Sequence, residues 1–489
     1  MSSPLASPAP EPADTPAPLS NAKEWQVIFV MMFVAIASTG SSAIIYAATP
    51  MFIKVFPDPK IIGWMSSIYF LVGAVTAGLC GGIADLYGRR ATLIWMFIIA
   101  GLAGVLAGAA SDPIYAVGFH AVQGIAVAAH AINIGILREH ISGKRLPMAI
   151  ALMTTATTAT AGLFFMLAGY IMDHQSWRFI FWFGPCILLP AIAAMFFLVP
   201  ASKSTNQPRR LPMLNGALFG LAALGIMLGI GEGGQNGFLT VRALGYLFFG
   251  MVFTFAWVRH SLRSPTPMVD VRLLKQKGLA AIIIAYGLLA VSMMQYGHVL
   301  LFIGQAETLA GLGAGLSATA IAAAMAPQGL LSIVTGPASG LAVQRFGHYR
   351  VFLTSLCLIS LPFILLMVIP HNLISLIGII IVGGIVSGAL MPSFRIALQE
   401  EVDAGHASSA MGIAELVRAM CMGLGAQITA TALVGHGHVG ESTAPIIEPV
   451  RFYSLMTGFV IAIVLAAGIY AWFGSRRGKV IKEAAEVNE

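Results

Sequence analysis

Polar side chains that could do chemistry are scarce in the apolar stretches of this chain. His120, Gln123 and His130 fall within an arc of about 80° at 3.6 residues per turn, on one expected helical face. Histidine titrates near pH 6.5, so His120 can carry a proton. The alternative for His120 and His130 is a neutral ring holding a backbone carbonyl between helices. Glu415 and Arg418 stand at i, i+3 and can pair. Glu415 is the one carboxylate well inside an apolar stretch. It can titrate when Arg418 moves away or water enters, or it can belong to a fixed pair that sets helix orientation. Gln295, His298 and Gln305, with Tyr296, share a further stretch and can bond a small molecule or a neighbouring helix. A polar group at membrane depth costs at least a few kcal/mol, which makes each of these a functional candidate. Arg395 is expected to be an interface or gate cation, and Asp173 and Arg178 to pair with each other or cap helices. Glu232, Glu307 and His371 read as solvated.

The elements that must position these residues are long and apolar. The chain has 489 residues, 58% of them hydrophobic and 10% charged, with a mean hydropathy of +0.86. A soluble protein carries about 25% charged residues. A soluble enzyme, a disordered protein and a nucleic-acid binder are thereby excluded. A bilayer core about 30 Å thick needs roughly 20 apolar residues per helix. Fourteen stretches qualify: 26–48, 62–82, 91–110, 114–137, 148–172, 178–199, 213–231, 242–258, 279–303, 315–343, 351–370, 373–395, 408–434 and 452–474. Barrel-type alternation is absent, and lipid demands internally satisfied backbones, so the expected fold is all-α. Cys80, Cys186, Cys357 and Cys421 lie in apolar stretches without metal-ligand spacing. His436 and His438 read as a loop turn. No phosphate-binding Gly-x-x-x-x-Gly-Lys-Ser/Thr loop occurs, so ATP is not expected as the energy source. No cofactor and no metal are expected.

Cationic residues set the expected orientation. Of 27 Lys and Arg, only Lys54, Lys60, Arg178, Arg242 and Arg451 fall outside if both termini are cytoplasmic, and Arg418 lies within a span. Residues 1–24 form an expected disordered tail rich in Pro and Ala, and 476–489 a charged cytoplasmic tail. A repeat organises what lies between. Gly81-Gly82-Ile83-Ala84-Asp85-Leu86-Tyr87-Gly88-Arg89-Arg90 comes after the second span, and Gly340 to Arg350, containing Phe346-Gly347, after the tenth. Two related halves in an all-helical membrane protein are a mark of secondary transporters.

At these residues the sequence resembles the major facilitator superfamily. The Gly81 to Arg90 run is similar to its cytoplasmic signature between helices 2 and 3. Ser176-Trp177-Arg178 with Phe181, and Pro267 to Leu274, resemble segments of the fourteen-helix drug:proton antiporter branch. The resemblance implies a six-helix half at 25–200, two extra helices at 201–264 and a second six-helix half at 265–475. It also implies that Gly81, Asp85, Gly88, Arg89 and Arg90 form a conformational latch. The chain departs from the branch in three places. Ser41 to Pro50 lacks the helix 1 acid. His120 stands in the helix 4 Arg-x-x-Gln-Gly motif, and Phe164 to Gly169 has lost the helix 5 Gly-Pro.

The expectation is proton-driven export of small amphipathic or organic compounds across the bacterial inner membrane. Protons would couple through His120 or Glu415. Gln123, His130, Gln295, His298, Gln305 and Arg418 would line the substrate cavity. The partners are a small molecule, protons and the lipid bilayer, in a monomer without nucleic acid. Organic-anion uptake or exchange is the alternative, since His120, His130, His298 and Arg418 outnumber the acid Glu415. A non-transporting sensor or scaffold is the third reading.

Overall fold

In a computed structural model, residues 20–49, 52, 59–141, 145–202, 211–265, 267–306, 312–402, 407–433 and 448–486 are described. Residues 1–19, Lys54, Glu307, His436 and His438 lie outside them. Fourteen helices are long and apolar enough to cross a membrane. They are α1 (Asn21–Ala47), α2 (Pro59–Tyr87), α3 (Arg89–Ala109), α4 (Pro113–His140), α5 (Leu146–His174), α6 (Arg178–Leu198) and α7 (Met213–Asn236). The remainder are α8 (Val241–Arg263), α9 (Lys277–Gln305), α10 (Ala318–Phe346), α11 (His348–Val368), α12 (Leu373–Glu400), α13 (Ala407–Leu433) and α14 (Pro449–Glu486). Every span anticipated from hydropathy is present. Several run past the apolar stretch because charged and small polar residues continue a helix outside lipid. The largest overrun is α14, whose helix carries through most of the segment read as a tail.

Successive helices reverse direction, so both termini lie on one face of the bundle, called here the terminal face. The opposite one is the far face. The repeat is visible in the backbone. Gly88 (φ +85°) and Gly347 (φ +82°) each stand between two helices in a conformation that L side chains rarely adopt. Matching sequence runs therefore make matching turns.

Small residues bring the two halves together. A Cβ at Gly162 of α5 would meet the Ala326 backbone of α10 at 2.8 Å, so these helices touch backbone to backbone. On the other side α2 packs against α13, and α7 lies over that seam. Gly216 of α7 fits against Leu79 of α2, and Gly231 and Gly234 fit against Gln427 and Thr431 of α13. α8 packs on α7 where Gly225 meets Gly250, and it turns Val241, Phe248 and Phe255 outward. These exposed apolar side chains suit a surface solvated by lipid.

One local departure matters for the site. In α4, Gly124–Ala128 is a 3-10 helix between α-helical segments. Gly124 lies directly against the Tyr69 carbonyl of α2, an approach that a side chain would block. Five residues at about 120° instead of 100° each rotate the rest of α4 by about 100°. This carries His130 from about 280° to about 20° relative to His120, so the three still share an arc of about 80°. What separates them is depth: Gln123 stays within one turn of His120, whereas ten residues put His130 about 15–18 Å further along α4.

Candidate transport pathway

A cavity of about 250 Å³ lies between α5 and the helices of the second half. Tyr46, Phe165, Tyr296 and Phe363 give it aromatic walls, and Gln328 and Ser332 add polar atoms. The glycines at 162, 297, 329 and 383 leave the room. The Tyr296 ring packs directly on Gly383, and its hydroxyl donates to the Ile379 carbonyl at 2.8 Å, which fixes the ring. Tyr46 stacks between Phe165 and His298. Apart from tyrosine hydroxyls the lining carries no ionisable group. Such a space accepts an apolar or aromatic body and offers a few hydrogen bonds.

Toward the far face lies a cavity of about 20 Å³, room for one water, lined by both His120 and His298. Each ring is held by a glutamine one helical turn away. His120 Nδ1 is 2.9 Å from Gln123 Oε1, and His298 Nδ1 is 2.8 Å from Gln295 Oε1. His120 also stacks on Tyr69. His298 Nε2 is 3.4 Å from the Thr49 hydroxyl, and its backbone N–H donates to the Tyr46 hydroxyl at 3.1 Å. The halves are tied at this level in two more places. Ser67 of α2 donates to Gln427 Oε1 of α13 at 2.9 Å. Asp173, at the end of α5, accepts from the α10 N-terminus: Ala318 N–H at 3.2 Å, Thr319 N–H at 2.8 Å and the Thr319 hydroxyl at 2.6 Å. The first turn of a helix leaves its N–H groups without partners, and a carboxylate is the strongest acceptor for them. Asp173 thus caps a helix of the opposite half. Arg178 donates to the Ala110 carbonyl, so of the two expected alternatives, pairing with Arg178 or capping a helix, Asp173 takes the second.

Toward the terminal face lies a charged group. Arg418 Nε donates to Glu415 Oε2 at 2.6 Å, with both side chains about 30% accessible. His130, Arg395 and Tyr286 are close enough to act electrostatically on this pair. His130 Nε2 is buried with no hydrogen-bond partner. Counting 1.5 Å per residue from the helix ends, these groups sit roughly 8–16 Å below the terminal face.

Several expected placements change. Gln295 lines neither cavity described above; its amide donates to the Met422 carbonyl and joins α9 to α13. Gln305 is buried and donates to Leu301 in its own helix. His130 and Arg418 belong to the charged group and line neither cavity described above. His371, read as solvated, is buried in the α11–α12 turn, with Nε2 donating to the Leu366 carbonyl at 2.8 Å. Burial holds its pKa below the ordinary histidine value. In the loop after α2, Asp85 lies in the last helical turn. Arg89 donates to the Gly135 carbonyl and lies 3.7 Å from Glu139, and Arg90 donates to the Phe196 carbonyl. A Cβ at Gly81 would meet nothing, whereas one at Gly88 would be strained. Sequence reasoning missed Tyr46, Gln328 and Ser332. An isolated hydroxyl or amide in an apolar helix carries little signal, although the glycines close to them in sequence mark a close approach or a void.

Two related six-helix halves, two added helices and a cavity between the halves define a multi-pass membrane transporter. The family model of the Major Facilitator Superfamily matches residues 30–426, and the chain belongs to that superfamily. The multidrug efflux pump LfrA of Mycolicibacterium smegmatis is 26% identical over 356 residues, 72% of this chain and 69% of LfrA. The multidrug resistance protein Stp of Mycobacterium tuberculosis is 26% identical over 386 residues, 76% of this chain and 68% of Stp. An uncharacterised transporter of the same type, YvkA of Bacillus subtilis, is 23% identical over 429 residues, covering 85% and 91%. Among solved structures, a peptide transporter of the POT family in complex with sulfate superposes with a TM-score of 0.67 at 14% identity, covering 93% of this chain and 95% of that one. The structural likeness establishes the fold, and the superfamily match establishes the chain as a transporter of that superfamily.

Proposed function

We propose that the chain exports small amphipathic organic compounds across the bacterial inner membrane, exchanging them for protons by alternating access. The observation that carries this reading is the cavity of about 250 Å³ with aromatic walls between halves whose side-chain hydrogen bonds to one another, among the described residues, gather near the far face. An apolar body binds there without buried charge, and the far-face ties are weak enough to break and reform. The named efflux relatives agree with that direction.

In this reading the terminal face is cytoplasmic, as the distribution of Lys and Arg implies. Residues 25–200 and 265–475 are the halves that rock, and 201–264 supplies the two added helices. Cargo enters from the terminal face in the conformation described, and parting of Asp173 from α10 and of Gln427 from Ser67 opens the far side. Protons arriving there meet His120 first. Glu415, freed from Arg418, is the second carrier. Arg89 and Arg90, folded back on the first half here, re-form a latch with Asp85 when the terminal side closes.

The test is proton movement in proteoliposomes holding a trapped pH-sensitive dye. Matched cationic, neutral and anionic aromatic compounds are added in turn. Proton flux that accompanies compound addition in wild type and is lost in Glu415→Gln or His120→Ala supports antiport. Flux of compound down the membrane potential with no proton movement overturns it.

A further inference from the structure

The charged group near the terminal face is unbalanced. Arg418 is compensated by Glu415 at 2.6 Å. Arg395, five residues before the end of α12, makes no hydrogen bond or ion pair among the described residues. It is half-buried, and it acts on the Glu415 carboxylate and the His130 ring from the same side of the bundle. On α4, His130 lies within electrostatic range of it, and its Nε2 is buried with no hydrogen-bond partner among the described residues. From α9 comes Tyr286, whose ring is held against Phe394. With His130 neutral, two guanidinium groups and one carboxylate leave one positive charge. Placing an uncompensated charge at membrane depth is costly, and a guanidinium presents a planar fork that matches a carboxylate.

The same helices lead from this group to the aromatic cavity. Ser387 of the cavity lies eight residues before Arg395 on α12, and Met293 lies seven after Tyr286 on α9. Both spacings correspond to about 10–12 Å along a helix. We infer that Arg395, with His130 beside it, binds the anionic end of the cargo, so that the preferred substrates are monoanionic amphiphiles with an apolar body about 10 Å from a carboxylate. This rests on the export reading and specifies its substrate class. Arg395 supplies the free charge, His130 a second hydrogen-bonding nitrogen, and the cavity takes the ring. Charge is balanced on binding, and no covalent step is involved.

The experiment uses the full chain in zwitterionic nanodiscs and a matched series long enough to span that distance: 7-phenylheptanoate, 7-phenylheptanol and protonated 7-phenylheptylamine. Binding is read by equilibrium dialysis. The acid is expected to bind about tenfold more tightly than the alcohol, and the amine more weakly than either. Arg395→Gln should erase the preference for the acid and leave the alcohol unchanged, and Arg395→Lys should restore part of it. Glu415→Gln removes the opposing charge and should raise the preference several-fold, a gain that misfolding does not produce. Equal binding of acid and alcohol in wild type, or a preference that survives Arg395→Gln, overturns the inference. The same three compounds separate it from the export reading. If the alcohol or amine is exported against a proton gradient without acid selectivity, the anion site fails and export stands. If acid-selective binding holds while none of the three is moved, the anion site stands and export fails.

Discussion

Replacing Asp173 with Ala should shift the far face toward its open arrangement while leaving the helices intact. The carboxylate accepts three hydrogen bonds from Ala318 and Thr319 across the interface between the halves. An N-cap acceptor is worth about 0.5–2 kcal/mol, and a carboxylate near a helix N-terminus adds about 0.3–1 kcal/mol. Asp173 is exposed, so solvent screening removes part of this. A loss of about 1–2 kcal/mol remains, a shift of roughly 5–30-fold in the closed-to-open ratio. The loss falls on the tie between halves because Ser317 still caps α10 within its own chain segment through Ala320 N–H. Spin labels at Ser111→Cys and Pro370→Cys, in a background without the four native cysteines, place one probe on each half at the far face. Pulsed electron-paramagnetic-resonance distances should show a longer population that grows in Asp173→Ala and is intermediate in Asp173→Asn. An unchanged distribution alongside normal thermal stability would refute the idea that this cap closes the far face.

Gln427→Ala removes the partner of Ser67 and should shift the same distance distribution less, by about 0.6–1 kcal/mol. The two effects should add in the double variant, because the sites share no partner. Gly225→Val places atoms where the Gly250 backbone lies 2.7 Å from even a Cβ. It should separate α8 from α7 at a cost of about 1–3 kcal/mol or more, read as a lowered melting temperature of the purified chain. His371 favours the neutral ring when folded, because burial lowers its pKa. Its contribution is complete above the unfolded value near 6.5 and is lost as pH falls below it. Melting curves at pH 7.5 and pH 5 should therefore converge in His371→Gln relative to wild type.

Most of the fold was legible because lipid imposes one simple rule, an apolar helix of fixed length. Fourteen spans, their order and the matching turns at Gly88 and Gly347 come from that rule and from glycine chemistry. The Glu415–Arg418 pair was legible because i, i+3 spacing guarantees proximity. Features that depended on tertiary packing were not. The surroundings of His130 were hidden, because the charges near it, Arg395, Glu415 and Arg418, stand on other helices. Asp173 was expected to pair with Arg178 or to cap a helix, and only the folded chain shows that the helix it caps is α10 of the other half. His371 looked like a loop residue until the α11–α12 turn folded over it.

The position of α7 and α8 makes the two flanks of the molecule unequal. On one flank the α2–α13 seam is covered by α7, and α8 lies outside it. On the other, α5 and α10 meet with Leu163, Tyr170, Leu330 and Val334 facing outward, and none of the described helices covers them. The aromatic cavity lies beside that bare seam, since Thr158, Gly162 and Phe165 of α5 and Met325 and Gln328 of α10 form its wall. The α5–α10 seam is therefore the flank at which lipid meets the two halves directly, and the close fit of Gly162 on Ala326 and of Gly329 on Thr158 keeps it shut in this conformation.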